Sequence, residues 1–151
     1  MEEIRFNSLV QMLQEQEGVE EVFLIDSTGD IIFKSGEFPL TNEEARGILE
    51  AWKNKESALY FQNNRYAILK NDEIQLAAKN IAKGKGNIVG SITKEGDYLL
   101  AHTRDEGLII LEWSILINKV AWSWISDFLI NKFRINLSKQ LVFKKLKKNI
   151  N

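Results

Sequence analysis

Ala58-Leu-Tyr-Phe-Gln62, Arg65-Tyr-Ala-Ile-Leu-Lys70, Glu73-Ile-Gln-Leu-Ala-Ala-Lys79, Ile88-Val-Gly-Ser-Ile92 and Asp97-Tyr-Leu-Leu-Ala-His-Thr103 follow one another with no helical pattern between them. Each run has five to seven residues, is rich in Val, Ile, Tyr and Leu, and is bounded by Asn, Asp or Gly, which is the pattern of a strand. Asn63-Asn64 and Asn71-Asp72 are two-residue connections. Asn and Asp tolerate the positive φ of tight hairpins, so these connections predict an antiparallel meander. A looser loop, Asn80 to Asn87, carries Gly84 and Gly86, and Lys94-Glu-Gly96 makes the last turn.

The flanking segments read as elements packed on that meander. Residues 4–17 predict a helix whose buried face is Phe6, Leu9, Val10 and Leu13, with Gly18 at its C-terminal cap. Val19 to Asp26 and Ile31-Ile-Phe33 predict a hairpin turning at Ser27-Thr-Gly29. Thr41 and Glu44 have capping-box spacing, and Ala45, Ile48, Leu49 and Trp52 continue one helical face behind them. Pro39, the single proline, stands where the chain turns into this helix. After Glu106-Gly107 comes a long apolar helix, predicted to run to about Ile130. Its stripe is Ile110, Trp113, Ile117, Val120, Ala121, Trp124 and Phe128, with Glu112, Lys119, Ser123 and Ser126 opposite. Glu112, Lys119 and Asp127 interrupt it, and a charge near the centre of a membrane span costs roughly 2.5–3.5 kcal/mol. A helix buried along most of its girth on a sheet is expected instead. The predicted class is α+β: a seven-stranded antiparallel sheet with the N- and C-terminal helices packed on it.

A chain of 151 residues, 44% hydrophobic and 27% charged, is the size and composition of one soluble domain. It has no Cys, which excludes disulfides and zinc–thiolate sites. Met1-Glu-Glu-Ile lacks the basic and apolar regions of a signal peptide, so a cytoplasmic location is expected. The net charge of −1 conceals an asymmetry. The first 131 residues hold 13 basic and 21 acidic residues, a net −8, and the last 20 hold seven basic residues and no acid. The division is a domain over 1–131 and a basic extension over 132–151.

Catalysis is not expected. His102 is the single histidine and lies inside a predicted strand. Without a second His or a Cys it completes no familiar catalytic or metal constellation. Gly84-Lys-Gly-Asn-Ile-Val-Gly90 is glycine-rich, but no helix follows and Lys85 is not followed by Ser or Thr, so the P-loop pattern fails. No cofactor is implied. An acidic body with one short basic run gives no reason to expect nucleic-acid binding.

Over roughly residues 4–131 the chain resembles the profilins. Seven strands with helices at both ends, and one after the second strand, is their layout. Asp26-Ser-Thr-Gly-Asp-Ile-Ile-Phe33 resembles the family's first hairpin, and Phe38-Pro with Asn42-Glu-Glu44 its entry to the second helix. Arg65-Tyr-Ala-Ile-Leu-Lys70 resembles its basic-Tyr-x-x-Ile strand, and Lys83-Gly-Lys-Gly86 its basic, glycine-bearing loop. The divergence suggests a remote, archaeal member. The resemblance implies binding of monomeric actin and control of its polymerisation by a cytoskeleton-associated monomer. Carried over by alignment, the contact residues are Arg65, Lys70, Lys79, Asn87, Glu106, Gly107 and Glu112. The physics agrees: outward basic residues at strand ends meet an acidic partner while Ile68, Leu76 and Leu99 fill the core. Many profilins also bind polyproline on an aromatic platform between the terminal helices that includes a Trp near the N-terminus. Here that helix carries only Phe6, and Trp113, Trp122 and Trp124 read as core.

The extension lies outside the resemblance. Leu137 and Leu141, with Lys132, Arg134, Lys139 and the cluster Lys144, Lys145, Lys147 and Lys148, form a basic amphipathic segment. Such segments bind anionic headgroups at about 1 kcal/mol per basic residue, and profilins as a family bind phosphoinositides. The rival reading is a roadblock- or longin-like scaffold for small GTPases. It shares the helix–hairpin–helix opening, but roadblock modules have three strands after the second helix where this chain is predicted to have five.

Overall fold

The computed structural model describes residues 1–123. Its elements are α1 (Glu3–Gln14), β1 (Val19–Ile25), β2 (Ile31–Lys34), α2 (Asn42–Lys53), β3 (Ala58–Phe61), β4 (Asn64–Asn71), β5 (Gln75–Lys79), β6 (Asn87–Ile92), β7 (Tyr98–Thr103) and α3 (Ile110–Ala121). The seven strands form one antiparallel sheet in the order β2-β1-β7-β6-β5-β4-β3. The meander β3 to β7 is intact, and the first hairpin joins it through β1 against β7.

Period-two alternation sorts the strand side chains onto two cores. Phe23, Ile25, Leu59, Phe61, Tyr66, Leu76, Ala78, Ile88 and Leu100 meet Ala45, Ile48, Leu49 and Trp52 of α2 on one face. Val22, Leu24, Ala77, Val89, Leu99 and Ala101 meet Phe6, Leu9 and Leu13 of α1 and Trp113, Ile117 and Val120 of α3 on the other. Gly90 lets the Trp52 ring approach the sheet closely, because a Cβ there would sit 2.8 Å from the indole. The indole then donates to the Asp72 carbonyl at 2.8 Å.

Four local expectations are corrected. The β3–β4 turn is Gln62-Asn63, with φ of 49° and 65°; Asn64 pairs with Phe61. Two successive positive φ values suit the right-handed twist of a hairpin, so the turn falls one residue before Asn63-Asn64. Thr41 does cap α2, its hydroxyl accepting from the Glu44 amide at 3.1 Å, but the Glu44 carboxylate turns away to the Gln62 amide. Helix α1 ends at Gln14, three residues short of expectation. Gly18 serves packing: with φ +110°, its missing Cβ leaves room for the Trp113 ring 3.1 Å away.

Helix α3 is the fourth. It starts at Ile110 and stops at Ala121, where Trp122 breaks the helical backbone. The predicted continuation through Trp124 and Phe128 to Ile130 lies outside the described residues. Nor is α3 buried along most of its girth, since Leu111 and Ile115 are exposed. Among the described residues no helix is long and apolar enough to cross a membrane.

A candidate partner-binding face

Helix α3 packs on β5, β6 and β7, and α1 on β1. On the face they cover, β3 and β4 extend beyond α3, and no helix among the described residues packs over them. The register fixes which side chains stand there, because directly opposed residues share a face. Lys70 opposes Ala77, which belongs to the α1/α3 core. Lys79 opposes Ala67, Ala67 opposes Ala58, and Arg65 opposes Tyr60. Leu59 and Tyr66, next along each strand, point into the α2 core. Tyr60, Arg65, Lys70 and Lys79 therefore share the uncovered side. A bulge between Ile68 and Lys70 shifts the register there, leaving Leu69 exposed.

Helix α3 forms one wall. Leu111, Ile115 and Asn118 recur at i, i+4 and i+7, so they share a flank. The Asn118 amide donates to Ser91 Oγ of β6 at 3.0 Å, which turns that flank toward β5 and β4. Leu111 is 56% exposed and Ile115 64%. Two open pockets bracket the face. One, of about 520 Å³, lies between α3 and the β4–β5 turn and is lined by Asp72, Glu73, Ile74, Gln75, Asn118 and Trp122. The other, of about 430 Å³, lies between the β3–β4 hairpin and the loop after β5, with Tyr60, Arg65, Ile81 and Lys83 in its lining.

The charges are partly tied down. Lys79 pairs with Asp105 at 3.4 Å, and Lys70 donates to the Gln75 side chain. Arg104 gathers Glu20 at 3.2 Å and Glu17 and Glu106 at 3.8 Å. Asp72 fixes the β4–β5 turn by accepting from the Ile74 and Gln75 amides at 2.8 and 2.7 Å. Burial pushes this carboxyl up, but the two backbone bonds, with help from Lys70 and Lys55, hold it below its ordinary value.

The structure thus brings Arg65, Lys70 and Lys79 onto one face. Gly107 lies in the β7–α3 connection with a φ of +91°, beside the exposed Glu106. Glu112 caps α3, accepting from the Ile109 amide at 3.2 Å. Asn87 must be withdrawn as a contact. It is 1% exposed, and its amide spans to Thr103 Oγ1 at 3.3 Å and the Arg104 carbonyl at 3.5 Å, so it holds the start of α3's approach in place. The sequence reading missed Tyr60, Leu111 and Ile115. A helical projection would have separated the last two from the Trp113–Ile117 stripe.

No family model matches the chain. A direct relative does: Loki profilin-3 of Lokiarchaeum sp. (strain GC14_75) is 72% identical over 123 residues, which are 82% of this chain and all of that protein. The chain belongs to the profilin family. Solved profilins share its fold. LokiProfilin2, in a complex with rabbit actin, superposes with a TM-score of 0.67 at 18% identity, over 80% of this chain and 95% of that one. Acanthamoeba castellanii profilin IA gives 0.62 at 18% identity, over 83% and 96%. The seven-stranded α+β prediction holds, and the GTPase-scaffold reading gives way to the family. Profilins are not enzymes, in keeping with the expectation of no catalysis.

Two of the aromatic residues weighed for a polyproline platform are core. In this profilin Phe6 is buried and stacks on Phe33 at 5.4 Å between centroids, and Trp113 is buried beneath α3. Trp122, expected in the core, is instead exposed and lines the pocket at the β4–β5 turn. Trp124 and the basic residues of 132–151 lie outside the described residues.

Proposed function

We propose that this profilin binds monomeric actin through the half-sheet that α3 leaves uncovered, and so regulates polymerisation in the cytoplasm. The observation that carries the reading is the convergence on that face of Arg65, Lys70 and Lys79, with Tyr60, Leu111 and Ile115 between and beside them. An apolar centre with a charged rim is the anatomy of a protein interface. A solved complex of the related fold with rabbit actin supports the choice of partner. Bound profilin would occupy one surface of the monomer and restrict its addition to filament ends. The test is pyrene-actin assembly with rabbit and archaeal actins, with and without the purified protein. Slowed spontaneous assembly, relieved by Lys70→Glu and Lys79→Glu, supports the reading. No effect on either actin sinks it.

The basic extension supports a second element. We propose that Lys132, Arg134, Lys139, Lys144, Lys145, Lys147 and Lys148 attach the protein to phosphoinositide membranes and modulate its hold on actin. Seven positive charges without an acid in 20 residues are the basis. A chain ending at Asn131 that sediments with phosphoinositide vesicles as fully as the whole protein would refute it.

A further inference from the structure

We propose that His102 is a proton-operated clasp on the loop between β5 and β6, closed when its ring carries two protons and open when it carries one. His102 stands on β7, opposite Glu21 of β1 and Ile88 of β6, with the Phe61 and Tyr66 rings against it. Its Nδ1 lies 2.6 Å from Glu21 Oε2, and its Nε2 lies 2.6 Å from the Lys85 carbonyl oxygen. Both partners are acceptors. A neutral imidazole has one N–H and one lone pair, so it bonds only one of them, whereas the imidazolium donates to both.

Removal of one proton has a defined consequence. The carboxylate is the stronger acceptor and keeps Nδ1–H. Nε2 then presents a lone pair to the Lys85 oxygen, and two acceptors at hydrogen-bond distance repel. The Tyr66 hydroxyl is 3.3 Å from Nε2 and 3.4 Å from the Lys85 oxygen. It can donate to either, and a bare Nε2 draws it away from the carbonyl. The Tyr66 hydroxyl stays protonated throughout, because burial, then the charges of Glu21 and Asp105, push it up to about 12. The Lys85 carbonyl thus loses both donors in one step. The base of the loop stays tethered, since Asn80 Oδ1 accepts from the Lys83 and Lys85 amides at 3.0 and 3.1 Å, and the Asn80 amide donates to the Gly86 carbonyl at 2.9 Å. The change is therefore confined to the Lys85–Gly86 peptide, whose carbonyl loses its donors while the amides around it stay held. Histidine is the side chain whose ordinary titration falls near physiological pH. The inference does not depend on what binds the neighbouring face.

The single histidine makes the test clean. Ring 15N resonances of His102 and the Lys85 carbonyl 13C resonance would be followed by NMR across the histidine range in the full chain, in Glu21→Gln and in Tyr66→Phe. The expected result is one common midpoint for the ring and the carbonyl. Glu21→Gln, which removes the anion that holds the second proton, moves that midpoint to lower pH. Tyr66→Phe, which removes the donor to the neutral ring, moves it to higher pH. A Lys85 carbonyl that stays flat while the ring titrates overturns the proposal, as do two variants that shift the midpoint in the same direction.

Discussion

If the uncovered face binds actin, its apolar wall should carry more of the affinity than its charges. The perturbation is Leu111→Ala with Ile115→Ala. Fully burying a Leu or Ile side chain is worth about 1.5–3 kcal/mol. Leu111 and Ile115 are 56% and 64% exposed, so roughly six-tenths of that gain, about 1–2 kcal/mol each, remains for a partner that covers them. Alanine keeps Cβ and forgoes most of the rest, about 1 kcal/mol per site and about 2 for the pair. That is roughly a thirtyfold rise in Kd. Stability should hold, because both side chains point to solvent and Ala favours helix over Ile. The assay is titration of fluorescent monomeric actin, with thermal melting as the fold control. A double variant that melts normally and binds within about threefold of wild type would refute the assignment of the α3 flank to the interface.

Three further outcomes follow from named contacts. Lys70→Glu with Lys79→Glu should weaken actin binding chiefly at low salt, where surface charges steer association; adding Asp105→Lys, which rebuilds the pair at Lys79 with the signs exchanged, should recover part of the loss in titrations at two salt concentrations. Asp72→Ala leaves the Ile74 and Gln75 amides without their acceptor and should cost about 1 kcal/mol in urea unfolding; because the folded carboxyl is held low, its contribution is present above the unfolded value near 3.8 and is lost as pH falls through the folded one, so wild type and variant should converge in acid. Gly86→Ala would set a Cβ 1.9 Å from the Thr103 carbonyl oxygen at a φ of +86°, and should destabilise by more than about 1 kcal/mol in the same unfolding assay.

The order of the elements was legible because local chemistry writes it. Asn and Gly connections mark the meander, and Thr41 with Glu44 marks the start of α2. Arg65, Lys70 and Lys79 could be named, but their sharing one face depends on pairing. The bulge at Leu69 moves Lys70 to oppose Ala77, and no propensity announces a bulge. The burial of Asn87 was hidden for a similar reason. A polar residue at a strand end normally faces water, but here the chain from Thr103 to Arg104 passes over its amide. Gly18 looked like a helix cap because its true partner, Trp113, is far along the chain. The pairing of β1 with β7 belongs to the same class of long-range contact.

The location of the open face follows from counting. An α-helix with its side chains is about 10 Å across, and neighbouring strands are about 4.8 Å apart. Two helices laid side by side therefore cover four or five strands, and this sheet has seven. Because α1 sits over the β1 side and α3 is anchored on β6 by Asn118, the strands left uncovered by the described helices are β4 and β3 at the far edge. Arg65 and Lys70 on β4 and Lys79 at the end of β5 border this face with charge without closing the apolar strip from Tyr60 to Ile115. A partner with an apolar centre and acidic surroundings satisfies both halves of that surface. A uniformly apolar partner would leave three cations desolvated, and a uniformly acidic one would leave Leu111 and Ile115 in water. Selectivity on this face thus rests on the combination, which is why the alanine pair and the charge reversals should weaken binding with different dependences on salt.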